Sequence, residues 1–468
     1  MSVRGRVYVR TLGCPKNEAD GAALIRHLER QGWMVVDDPA NADAEVINTC
    51  GFIEATKLES LEAVWEGVAR KEALNGQGAL RRLIVTGCLA QRYPTAVAKD
   101  IPFLDAVIGF NRPDLVARAL TMPLPSGAPA CWVDKPDVVY REDESPWVAD
   151  AGSPAPLSVY VKIGDGCDNG CRFCAIPSIR GRLRSRPLVA IRDEVAALVD
   201  RGTREIILVS QDSTSWGIDF HDGTDLGTLL EALDALPGDL WIRLMYAHPA
   251  FLTERHIAVF GACEKIVSYL DMPMQRASDH MLRLMNRHTT RAATQQKIDA
   301  LRRVRPDLAL RTTFIVGHPG ETGADFEELV AFAADNSFER MGVFAYSTEE
   351  GTASTQLRPL VPPRVARERV ARLTEVFDRW SAMQSVDKVG RTLPCLLERR
   401  DGTGSWVGRS IHDAPEIDGH VTVAAAHVTG PGIYHVEIDS AQGVDLAGRI
   451  VHSRGAASLR DHPPGRPA

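Results

Sequence analysis

No run of about 18 uncharged apolar residues occurs in the 468-residue sequence, so no segment has the length and polarity of a membrane-spanning helix. Histidine is missing where metal chemistry would want it: none lies between His27 and His221. Basic residues are in deficit, 54 Lys and Arg against 61 Asp and Glu, and a net charge of -7 gives no general electrostatic reason to expect nucleic acid as the main partner. Internal repeats are absent, and "GHPGE" at 317–321 lacks the glycine spacing and the lysine of a phosphate-binding loop. The opening "MSVRGRVYVRTLGC" enters an alternating strand pattern with no apolar h-region, which sets the expectation of a cytoplasmic, membrane-free protein. In a reducing compartment nine cysteines are poor disulfide candidates, and an odd number cannot all pair; clustered thiols there point to metal or catalysis.

The length suits about three domains. Residues 5–120 alternate short apolar runs, "RVYVRTLG", "WMVV", "AEVINTCG", "RLIVTGC" and "AVIG", with amphipathic stretches at 16–31 and 56–70. That βαβ rhythm implies a small parallel sheet covered by helices. Residues 121–152 are proline-rich and without period, and read as a linker. Six strand candidates follow in 153–385, "SVYVKIG", "EIILVSQ", "WIRLMY", "VSYLDMPM", "LALRTTFIVG" and "RMGVFAYS", each trailed by a helix-length segment. They predict a partial (β/α)6 TIM-like barrel whose working face lies at the carboxyl ends of its strands, closed by a charged helix over 363–389. Short strands with Gly and Pro turns across 387–455 suit a small antiparallel β-barrel, and the tail 456–468 reads as disordered. The expected class is α/β, with a β-barrel appended.

"GDGCDNGCRFC" puts Cys167, Cys171 and Cys174 inside eight residues, directly after the first barrel strand. A structural zinc site wants four closed ligands, and no fourth cysteine or histidine is near. A four-iron cubane normally takes four cysteines; three leave one iron open to a substrate or cofactor. In the first domain a cysteine ends a strand three times, in "TLGCPKN" (Cys14), "INTCGFIE" (Cys50) and "IVTGCLAQ" (Cys88). Ligands of open α/β sheets bind beyond strand carboxyl ends, so these three can converge as a second thiolate set, although small buried cysteines also fill sheet ends. Cys131, Cys263 and Cys395 follow no such pattern and read as structural.

The CxxxCxxC loop after the first strand of a six-unit barrel resembles the radical S-adenosylmethionine superfamily. With the second trio and the terminal barrel, it resembles the methylthiotransferases over about residues 6–455. "LGCPKN", "NTCGFIEATKLES", "AIPSIRGRLRSRP", "VSQDST", "YLDMPMQRASD", "RTTFIVGHPGET", "VFAYSTEEGT" and "DAPEIDG" are similar to the branch called RimO. That resemblance implies two 4Fe-4S clusters, held by Cys14, Cys50 and Cys88 and by Cys167, Cys171 and Cys174, with S-adenosyl-L-methionine on the second. It implies radical removal of a β-hydrogen from an aspartate of small-subunit ribosomal protein S-twelve, and delivery of a methylthio group through the auxiliary cluster. An electron donor and a sulfur donor are implied partners. Two rivals stay open: the same chemistry on a tRNA adenosine, and a non-catalytic iron-sulfur carrier or scaffold.

Strand-end polar residues in such a barrel, Gln211, Asp212, Gln275 and Glu321, are candidate contacts to S-adenosylmethionine, though each alone could cap a loop. Arg180, Arg182, Arg184 and Arg186 form either a solvated basic face or the border of a carboxylate-holding site. His248 and His318 read as packed loop residues. The terminal barrel resembles the TRAM module, usually associated with RNA, yet residues 387–454 hold seven Lys and Arg against nine Asp and Glu. RNA binding is therefore not expected to dominate there, and a basic ribosomal protein suits it better.

Overall fold

The computed structural model describes residues 4–75, 82–125, 127–136, 155–425 and 428–451. The tail expected to be disordered, 456–468, and most of the expected linker lie outside the described residues. Among the described residues no helix is long and apolar enough to cross a membrane.

Six parallel strands make the first sheet: β1 (Gly5–Thr11), β2 (Trp33–Val35), β3 (Ala44–Thr49), β4 (Arg82–Gly87), β5 (Ala106–Ile108) and β6 (Ala130–Trp132). Their spatial order is β2-β1-β3-β4-β5-β6. Every residue of β3 is buried because helices cover both faces. Val46 and Ile84 face α1 (Pro15–Arg30), which contributes Leu24 and Leu28. Ile47 and Val85 face α2 (Glu54–Asn75), which contributes Ala63, Val64 and Val68. Strand β6 corrects the linker reading: part of that proline-rich segment pairs in parallel with β5. Three residues are too few to show a period of two, and Pro129 beside them is tolerated at a sheet edge.

The second sheet is the expected open barrel. Its strands are β7 (Ser158–Lys162), then, after the short antiparallel pair β8 (Gly164–Asp165) and β9 (Arg184–Ser185), β10 (Glu205–Val209), β11 (Trp241–Leu244), β12 (Ile266–Asp271), β13 (Ala309–Val316) and β14 (Arg340–Ala345). The six long strands lie in sequence order, all parallel. Outward residues such as Val161, Leu208, Leu244 and Leu310 pack with Ile191, Val195, Leu229 and Leu329 of the surrounding helices in one continuous core. Helix Pro363–Val386 packs against β14 and helix Gly323–Asn336.

Strands β15 (Thr392–Arg400), β16 (Trp406–Ser410), β17 (Val421–Val423), β18 (Gly432–Gln442) and β19 (Asp445–Ile450) close into the terminal barrel. The antiparallel expectation holds at four of its junctions, and β17 pairs with β19 in parallel. Five is odd, so a closed ring cannot alternate direction throughout. The loop after β16 enters the large barrel from below, where Ile411 and Ala414 pack on the inward residues Ile207, Val267, Tyr269 and Ala309. Buried ion pairs fasten it: Arg409 to Glu205 at 2.6 Å, Arg311 to Asp418 at 3.2 Å, and Arg340 to Asp413. Glu205 also receives Arg243 at 2.8 Å, and Tyr269 donates to Asp418 at 2.7 Å.

Candidate functional site

Strands β1, β3 and β4 are neighbours, and a cysteine follows each at its carboxyl end. Adjacent strands lie about 4.8 Å apart, so three in a row hold Cys14, Cys50 and Cys88 within roughly 10 Å across the sheet. The site lies where strand order reverses between β2-β1 and β3, the usual ligand crevice of an open parallel sheet. Cys14 precedes α1 as its N-cap, with Pro15 opening the helix, and Cys88 begins α3 (Cys88–Arg92). Gly13 turns at φ +96°, and a Cβ there would sit 2.7 Å from the Cys50 sulfur; only glycine lets the two loops approach so closely. Asn17 Nδ2 donates to the carbonyls of Leu12 at 2.7 Å and Asn48 at 3.2 Å, clamping the ends of β1 and β3 together. Burial pushes the Cys88 thiol up to about 12, against the pull of Arg180, and pushes Cys50 upward as well.

The second trio hangs from the β8–β9 pair. The backbone amides of Asn169 and Ile176 favour the thiolates of Cys167 and Cys174, and that of Phe52 does the same for Cys50 in the first trio. Arg287 Nη1 lies 3.5 Å from the Cys171 sulfur. Burial pushes both Cys167 and Cys174 up to about 12. Such thiols give up their protons when a cation takes the place of water, and amide donors to sulfur are how proteins tune iron-sulfur groups. Among the described residues no three His, Cys, Asp or Glu side chains are grouped tightly enough to hold a single metal ion. A cubane offers three separate irons to three thiolates and takes them more widely spaced, so two cysteine-only trios fit it in donor chemistry.

Backbone held in the left-handed region gathers at this face. Asn286 (φ 57°) and His288 (φ 52°) flank Arg287, while Tyr246 (φ 62°) and Gln275 (φ 69°) lie in the loops that follow β11 and β12. Each costs on the order of 1 kcal/mol, a cost natural structures retain mainly at working sites. The cysteine loop is braced from several sides: Asn286 Nδ2 donates to Gly170 O at 2.9 Å, and Asn169 Nδ2 donates to Asp212 at 2.8 Å.

The four strand-end candidates fall into two pairs. The side-chain amide nitrogen and oxygen of Gln211 and the side-chain amide oxygen of Gln275 are buried with no protein partner. Asp212 instead accepts from Asn169, Thr214 N and Ser215 Oγ, and so caps its own loop. Glu321 is held between Arg276 at 2.7 Å and Arg369 at 3.1 Å. His318 is packed, with its ring nitrogens at Pro319 O and Ser354 Oγ, and burial lowers it to about 4. His248 accepts from Ala250 N, and burial together with Arg287 holds it at about 2. Cys131 is exposed on β6, while Cys263 and Cys395 are buried in the hydrophobic cores of the large and terminal barrels.

The two trios face one another. Cys88 shares a small buried apolar cluster with Ala175 and Ile179, next in the chain to Cys174. Arg180 spans the junction, 2.8 Å from Asp20 of α1, 2.9 Å from Asp165 and 3.3 Å from the Cys88 sulfur. Lys162 joins the same group, paired with Asp165 at 2.7 Å and with Asp20. The arginine run is therefore no single basic face: Arg180 and Arg186 are buried in ion pairs, the latter with Glu194 at 2.6 Å, while Arg182 is exposed beside Asp168. Lys16, from "CPKN", sets its Nζ 3.1 Å from the centre of the Tyr246 ring. Its charge reaches Cys14 and Cys50 on one side and Cys174 on the other, and burial lowers it below the usual lysine range. Lys16, Tyr246 and Arg287 were missed in the sequence; only Lys16 sat in a motif that could have flagged it.

Three family models match in succession: the Uncharacterized protein family UPF0004 over residues 6–109, the Radical SAM superfamily over 161–333 and the TRAM domain over 389–451. The chain is 41% identical over 469 residues to the ribosomal protein uS12 methylthiotransferase RimO of Anaeromyxobacter sp. (strain K), covering 99% of this chain and 97% of that one. The chain belongs to the RimO family. RimO of Desulforudis audaxviator is 40% identical over 95% of this chain and 97% of its own, and RimO of Thermotoga maritima 40% over 89% and 94%. Among solved structures, the radical S-adenosylmethionine methyltransferase TsrM from Kitasatospora setae superposes with a TM-score of 0.54 at 14% identity, covering 72% of each chain. The cobalamin-dependent enzyme OxsB gives 0.51 at 12% identity over 80% of this chain and 56% of its own. At such identities the likeness is one of fold. A RimO chain is a radical S-adenosylmethionine enzyme of the methylthiotransferase type.

Proposed function

We propose that this chain attaches a methylthio group to the β-carbon of an aspartate in ribosomal protein uS12, working in the cytoplasm with an external electron donor and an external sulfur donor. The observation that carries the reading is that Cys88 of the first cysteine set packs with Ala175, the residue after Cys174 of the second, in a chain related to RimO over nearly its whole length. Cys167, Cys171 and Cys174 would hold one 4Fe-4S group and Cys14, Cys50 and Cys88 the other. When bound, the first supplies the electron that cleaves S-adenosylmethionine and so starts hydrogen abstraction, and the second carries the sulfur to be transferred.

The protein's own groups do the rest. Three thiolates would leave a fourth position open for S-adenosylmethionine, and the unpartnered side-chain amide of Gln211, with the side-chain amide oxygen of Gln275, offers it hydrogen bonds. Arg287 holds positive charge against the Cys171 thiolate. The plug of Ile411 and Ala414 keeps water from entering beneath. The net negative terminal barrel favours a basic protein over a nucleic acid backbone.

The test is made on anaerobically reconstituted enzyme with reductant, sulfide and S-adenosylmethionine. It should add about 46 mass units, one methylthio group for one hydrogen, to the aspartate of uS12 or of its loop peptide. Replacing Cys167, Cys171 and Cys174 by Ala should halve the iron and abolish 5′-deoxyadenosine formation. Replacing Cys14, Cys50 and Cys88 should halve the iron and leave that cleavage measurable. Modification of tRNA adenosine with an untouched peptide would overturn the substrate assignment.

A further inference from the structure

Most cations buried around the trios have a carboxylate of their own. Lys162 and Arg180 share Asp20 and Asp165. Arg92 has Glu349 at 2.7 Å, and Lys57 has Glu349 and Glu54. Lys16 stands apart. Among the described residues it makes no ion pair and no side-chain hydrogen bond, and its ammonium rests on the face of Tyr246. The titratable groups that reach it are Arg180, which repels it, Asp271, and the thiols of Cys14, Cys50 and Cys174. Asp271 is already shared, 3.6 Å from Arg311 and accepting from Tyr246 N at 3.1 Å. A cation on an aromatic face is a half-finished anion site: the ring steadies the ammonium and leaves its other donors free.

The place matters as much as the vacancy. Lys16 lies between the two trios, where a substrate carbon must come if one trio is to activate it and the other to deliver sulfur. An aspartate whose β-carbon enters that gap brings its carboxylate one bond away from the reacting atom. We propose that Lys16 is a positioning residue that recognises the side-chain carboxylate of the substrate, making the enzyme selective for aspartate over asparagine at the modified position. This rests on the uS12 reading above. A carboxylate on lysine desolvates both partners, so loss of one should be felt strongly in affinity.

Holoenzyme with bound S-adenosylmethionine is titrated with the uS12 loop peptide and with the same peptide carrying Asn for the target Asp. Wild type should bind the Asp peptide at least about tenfold more tightly. Lys16→Met and Lys16→Gln should bind both peptides equally, at the wild-type Asn level, while Lys16→Arg keeps the preference. The affinity of Lys16→Met for S-adenosylmethionine should stay within about twofold of wild type; loss of it instead would give Lys16 to the cofactor's carboxylate and overturn the proposal. Retained Asp preference in the Met and Gln variants, or altered iron content with that preference intact, would assign Lys16 to cluster charge balance. Equal binding of both peptides by wild type also overturns it. Wild type that binds neither peptide would bring down the uS12 reading itself.

Discussion

Arg180 has both arms committed, one to Asp165 and one to Asp20 and the Cys88 sulfur, and its face rests 4.9 Å from the Phe110 ring centre. Arg180→Met should leave two buried carboxylates with Lys162 alone and destabilise the fold by about 3–5 kcal/mol in denaturant titration. Gln211 behaves in the opposite way. Its amide is buried without a protein partner, so Gln211→Met should raise the stability of cluster-free protein by up to about 1 kcal/mol while weakening S-adenosylmethionine binding about tenfold, read by calorimetry. A variant that binds S-adenosylmethionine as tightly as wild type would show that the amide faces no ligand. At this scale the cysteines were legible because each follows a strand or stands in a tight triplet. Arg287 was not: it reaches Cys171 across 116 residues from a left-handed turn, and no local pattern announces either fact.

Strand ends do the work at the scale of elements. The alternation of apolar runs predicted all six strands of the open barrel, and the cysteine after β1, β3 and β4 predicted convergence, but only the strand order shows that these three are adjacent. What hid from the sequence was short or closed on itself: β6, three residues among prolines, and the parallel seam between β17 and β19 that an odd ring requires. The close pass of the two loops at Gly13 gives a prediction of its own. Gly13→Ala adds a methyl 2.5 Å from Cys50 Cβ in a backbone conformation that alanine resists. Iron should fall by about half while cleavage of S-adenosylmethionine persists; full iron loading would show that the loop can yield.

Taken whole, the molecule is fastened by buried charge at two levels, Asp20 with Arg180 above and the plug with Glu205 and Arg340 below. Burial pushes Glu205 up, but Arg409 and Arg243 outweigh it and hold the carboxyl at about 2 rather than its ordinary 4.5. Asp413, buried but held by Arg340 and Lys388, likewise drops from 3.8 to about 2. Folded-state values below the unfolded ones mean that this stability is complete above about pH 4.5 and is lost as pH falls towards 2. Glu205 alone contributes on the order of 3 kcal/mol. Denaturant midpoints should therefore begin to fall below about pH 6.5, where unfolded histidines protonate while burial keeps His248 and His318 neutral in the fold, and fall more steeply below about pH 5 as Glu205 and Asp413 add to the loss. Glu205→Gln should be less stable at pH 7 and flatter through the acid window; an unchanged acid slope would place the titrating groups elsewhere.

The plug also sets an order of events in time. Ribosomes release a chain from its N-terminus, and Ile411, whose carbonyl accepts from Arg243, is synthesised 168 residues later. Until it emerges, Glu205, Arg243, Arg311 and Arg340 surround a hollow whose partners do not yet exist. The wall of the barrel is made early and its floor last, so an unfinished chain is an unsealed one. Nascent chains arrested before Ile411 should be cut by protease within β10 to β14, and chains released at full length should resist.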